Sequence, residues 1–102
     1  MSEESEKIKR LMELLAEEAT WQGRLNGHEG QAKVAEREEI FCKERMIEAE
    51  KEGSYNVARY WERKGRRAFA RKEYHREKAE EARKKLEEIR AEIDKLIGGE
   101  EK

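Results

Sequence analysis

Apolar residues recur along this chain at spacings that alternate between three and four. From Leu11 the rule gives Leu14, Glu18, Trp21, Leu25, His28, Ala32, Ala35, Glu39, Cys42, Met46 and Ala49. Nine of these twelve positions are apolar, against 35% for the whole chain. A second run from Ala58 gives Trp61, Gly65, Ala68, Lys72, His75, Ala79, Ala82, Leu86, Ile89, Ile93 and Leu96, again nine of twelve. A seven-residue repeat of this kind keeps one helix face on one partner, the seam of a coiled coil. Between the runs stands Glu52-Gly53-Ser54. Glycine suits the left-handed position just past a helix end, and serine caps the helix that follows.

A chain folded back at that corner pairs residues whose numbers sum to about 107. Trp61 then faces Met46, Gly65 faces Cys42, Ala82 faces Leu25, and Leu11 and Leu14 meet Leu96 and Ile93. Large side chains fall opposite small ones, which fills a core without voids. The predicted fold is all-α: a long antiparallel helical hairpin, coiled-coil-like, in one helical domain over residues 1–102. Its helices cover about 5–52 and 55–97, with the turn at Gly53-Ser54 and a tail over 98–102. Ser2 and Ser5 offer caps for the first helix, with early acids beside them. Gly23, Gly27 and Gly30 fall on the outer face, where each costs roughly 1 kcal/mol against alanine. The alternative they raise is a break near Asn26–Gly30 and a three-helix bundle.

Some apolar residues lie off the seam. Ile8, Met12, Leu15 and Ala19 form a second stripe, and a second stripe on one helix implies a second partner. The expectation is a homo-oligomer, a dimer that closes into a four-helix bundle, or else docking of another protein. Tyr60, Arg67, Phe69 and Tyr74 are the candidate partner-binding residues on the second helix. They belong to a basic run over 59–78 in which Arg59, Arg63, Lys64, Arg66, Arg67, Arg71, Lys72, Arg76 and Lys78 outnumber Glu62, Glu73 and Glu77. Cations interleaved with aromatics suit a phosphate backbone and its bases, so a nucleic-acid-binding hairpin is the alternative function. The facing segment, with Glu29, Glu36, Glu38, Glu39, Glu44 and Glu48, is expected to neutralise part of that field.

Composition narrows the field further. Charged residues make up 48% of the 102, proline is absent, and 24 basic against 25 acidic residues leave a net charge of -1. Such a balance favours long helices with narrow buried stripes over a broad core, and argues against a wholly cationic binder. No apolar run reaches the roughly 20 residues of a membrane span. The polar start MSEESEK has no features of a signal or transit peptide. One cysteine provides no internal disulfide, and the expected setting is a soluble protein, cytoplasmic or recombinant. Glu39 and Lys72 occupy seam positions one layer apart and are expected to pair and set register. His28 and His75 fall in adjacent layers. They are weak candidates for a metal or haem site, because no Glu-x-x-His or Cys-x-x-Cys accompanies them. No nucleophile, base and orienting group converge, so the expectation is no enzyme and no cofactor. A non-enzymatic scaffold or protein–protein interaction module is the leading reading.

Two resemblances follow from particular stretches. EEARKKLEEIRAEIDKL resembles computationally designed helical bundles, with strong helix formers, heptads and alternating charges. ATWQGRLNGHEGQAKV and SYNVARYWERKGRRAF are less regular, which implies a native-like surface carried on an idealised frame. The spacing of Ala49, Gly53, Ala58, Gly65 and Ala79 is similar to that of the helical extension preceding Smr-type nuclease domains. That likeness involves small residues alone, lacks the family's Asn and Met positions, and carries over no activity.

Overall fold

A computed structural model describes residues 2–98. It contains two helices, α1 (Glu3–Lys51) and α2 (Tyr55–Gly98), packed antiparallel as a hairpin. Ser2 opens α1: its side-chain oxygen accepts a hydrogen bond from the Ser5 amide at 3.2 Å, satisfying one of the helix's orphan donors. The helix therefore starts two residues ahead of the expected position. It also runs unbroken through Gly23, Gly27 and Gly30, so the three-helix alternative is not adopted. A Cβ added at any of these glycines would meet nothing within 4 Å. They weaken the helix only through backbone entropy, and the seam beneath them holds the register.

The corner is a Schellman turn. Gly53 is left-handed at φ 76°, and its amide donates to the Glu50 carbonyl at 3.1 Å. The Ser54 amide donates to the Ala49 carbonyl at 2.8 Å, which completes the paired bonds of that motif. The Ser54 carbonyl in turn accepts the first bond of α2, from Ala58 at 3.0 Å. At the other end α2 continues through Gly98, one residue past the expected boundary. The expected tail beyond it, 99–102, lies outside the described residues.

The buried residues are Leu14, Leu25, Ala32, Ala35, Cys42, Ala49, Ala58, Ala68, Lys72, Ala79, Ala82, Leu86, Ile89 and Ile93. Among the described residues each of these lies on a predicted seam, and every remaining seam position is half-buried. The chain divides into two compact units, one of Met1–Asn26 with Ala79–Lys102, the other of Gly27–Lys78. In the first unit Leu25, Ala79, Ala82 and Leu86 cluster with Trp21, and Leu14, Ile89 and Ile93 cluster with Leu11, Trp21 and Leu96. These groupings are those of the predicted register. In the second unit alanines dominate the seam, and Gly65 brings α2 so close that an added Cβ would lie 3.3 Å from the Cys42 Cβ.

Candidate functional site

The first unit carries the second apolar stripe. Ile8, Met12 and Leu15 are 55%, 66% and 49% exposed on successive turns of α1, and Ala19 is exposed after them. Ile97 of α2, itself exposed, lines a groove of about 180 Å³ together with Ile8, Leu11 and Leu96. Apolar surface therefore extends from one helix to the other. Charged side chains pair across the helices nearby. Arg10 grips both carboxylate oxygens of Glu92, at 2.9 and 3.1 Å, and reaches Glu13 at 3.3 Å. These hydrogen bonds, Glu92's above all, hold the Arg10 guanidinium above its ordinary pKa. Arg90 donates to Glu18 at 2.9 Å and to Gln22 at 3.0 Å.

The second unit holds the polar seam positions. Lys72, with its side chain 11% exposed, donates to Glu39 at 2.7 Å, and its ammonium lies 4.7 Å from the Phe69 ring centroid. The expected register pair is present, with a cation–π contact added. His28 and His75 meet directly, Nδ1 to Nδ1 at 2.9 Å, in a half-buried layer. One ring must donate and the other accept, so the two carry different tautomers or share one extra proton. Tyr74 packs edge-on against both rings. Zinc sites use three or four protein ligands, whereas no group of three or more His, Cys, Asp or Glu is placed to hold a metal among the described residues. Cys42 is buried against Gly65, and no described contact activates its thiol.

The four candidate partner-binding residues do not all line one groove. Tyr60 and Arg67 share a cleft of about 400 Å³ with Asn56, Arg59, Arg63 and Lys64. Phe69 lies instead on a separate groove of about 260 Å³, with Met46, Trp61 and Gly65. Tyr74 belongs to the histidine layer. Arg59 and Arg63, which the sequence places in the basic run but not among those four candidates, stand with Arg67 at i, i+4, i+8 spacing on α2.

Ion pairs divide the basic run in two. Arg71 pairs with Glu38 at 2.7 Å, Lys72 with Glu39, Arg76 with Glu36 at 3.6 Å, and Arg66 with Glu62 at 2.6 Å on its own helix. Arg59, Arg63 and Arg67 have no carboxylate within ion-pair distance among the described residues. Lys64 lies over the rings of Tyr60 and Trp61, at 5.9 and 5.4 Å.

Among the described residues no helix is long and apolar enough to cross a membrane. Comparison with family models, curated proteins and solved structures yields no match to this chain. The class that these findings define is the antiparallel two-helix hairpin, with apolar side chains left open on its surface.

Proposed function

We propose that this chain is a non-enzymatic helical interaction module that self-associates through the stripe of Ile8, Met12, Leu15 and Ala19. The carrying observation is the exposure of three large apolar side chains, Ile8, Met12 and Leu15, in line on successive turns of α1. Their order also supports a second copy of the chain as occupant. The spacing of four, three and four reads the same in both directions. Two copies related by a twofold axis between Met12 and Leu15 therefore set Ile8 against Ala19 and Met12 against Leu15. Self-complementarity of this kind is what an isologous interface requires. The regular heptads of α2's C-terminal half support an idealised, designed frame beneath the more irregular surface of the middle of the chain.

Four side chains make a short stripe beside the roughly 20–30 residues a side of a standard interface. A weak dimer is expected, with a dissociation constant on the order of micromolar or above. Sedimentation equilibrium over a wide concentration range tests this, with Met12→Glu and Leu15→Glu as variants that charge the stripe without touching the seam. Dimer mass at high concentration, lost in both variants, is the expected result. A chain that stays monomeric at every concentration overturns the reading.

A further inference from the structure

We infer that Arg59, Arg63, Lys64 and Arg67, with Tyr60, form a binding site for single-stranded nucleic acid on the outer face of α2 near the hairpin corner. The proposal rests on how the basic run is divided, not on its total charge. Arg71, Lys72 and Arg76 are neutralised by glutamates of α1, and Arg66 by Glu62. The three arginines at 59, 63 and 67 keep their donors open toward solvent, in a cleft whose lining contains no acid. Spaced four residues apart, they stand about 6 Å apart along the axis at ~1.5 Å per residue. They thus present one guanidinium fork per turn along a single line.

Guanidinium groups bind phosphate oxygens bidentately and remain charged at any working pH. Tyr60 makes the site more than a patch of charge. It is 56% exposed and sits in the same cleft, with Trp61 edge-on to it and the Lys64 ammonium over its ring at 5.9 Å. An exposed ring beside unpaired cations suits an unpaired base stacked next to its own phosphates. A duplex offers no free base face, and an acidic protein segment has no use for the ring, so neither matches the site as well. Arg67 and Tyr60 are the two sequence candidates that line this cleft; Phe69 and Tyr74 do not. The site is independent of the self-association stripe, which lies in the other unit.

The test is fluorescence anisotropy of a labelled oligothymidylate, about 12 nucleotides long, titrated with the full chain. With three phosphate contacts and a slope near 0.7 per contact, affinity should fall about 20-fold between roughly 50 and 200 mM salt. The triple variant Arg59→Gln, Arg63→Gln, Arg67→Gln should lose most of the binding and flatten the salt slope by about 2. The matched control Arg66→Gln, Arg71→Gln, Arg76→Gln removes as much charge and should change affinity by less than about threefold, since its arginines already have partners. Tyr60→Ala should weaken binding about tenfold, the loss of one stacked base, and Tyr60→Phe should restore it. Circular dichroism confirms that each variant keeps its helices. The proposal is overturned if the wild-type chain leaves the oligonucleotide free, if both triple variants lose binding equally, or if poly-glutamate or vesicles containing phosphatidylserine bind as tightly as the oligonucleotide.

Discussion

Lys72 is the one charged side chain that the described residues bury, and its partner Glu39 is only partly covered. Such a pair aligns two helices because a shift of one layer would leave an ammonium without its carboxylate. Lys72→Met should therefore cost about 1–3 kcal/mol, the penalty of a half-buried group left unpaired. Replacing both partners, Glu39→Leu with Lys72→Leu, should recover that loss in urea unfolding. If the double variant is no more stable than the single one, the pair contributes net stability and not only alignment. Glycines give a second contrast at this scale. Gly27→Ala fills open space and should stabilise by roughly 1 kcal/mol, as should Gly23→Ala and Gly30→Ala. Gly65→Ala puts a methyl 3.3 Å from the Cys42 Cβ, so crowding of the facing helix should cancel most or all of the same gain. Equal thermal shifts for Gly27→Ala and Gly65→Ala would show that the helices do not need the glycine to approach.

Each helix is closed by local chemistry and held by its seam. The corner depends on Gly53, whose φ of 76° is disfavoured for a residue with a Cβ. Gly53→Ala should destabilise the hairpin by about 1–2 kcal/mol, and Gly53→Asn by less, because asparagine tolerates the left-handed region better. Denaturation midpoints of the two variants check the order. Both the corner and the Ser2 cap are legible in the sequence, since they need only a glycine or a serine at a fixed offset. The continuity of α1 was harder to read. Its three outer glycines signal a break by propensity, yet the seven-residue phase passes through them without a shift, and seam packing outweighs a propensity penalty of roughly 1 kcal/mol at each.

For the molecule as a whole, self-association and anion binding make different demands on the same chain. A dimer that forms only in the folded state adds stability that grows with concentration. The thermal midpoint of the wild-type chain should therefore rise with protein concentration, while that of Leu15→Glu should stay constant. A midpoint independent of concentration in both would argue against the stripe as a self-interface. Binding at Arg59, Arg63 and Arg67 should leave this dependence untouched.

The sequence by itself determined the two seams, the corner between them and the layer in which each seam residue sits. Period and turn chemistry are local properties, and an antiparallel register follows once the corner is placed. Only the tertiary structure decided which cations are neutralised, which aromatics share a cleft, and that the two imidazoles bond to each other. Long charged side chains select partners up to five positions away from the residue directly opposite, as Arg10 does with Glu92 and Arg76 with Glu36. That choice depends on ångström-scale distances across the helix pair and on side-chain rotamers. A heptad repeat constrains neither.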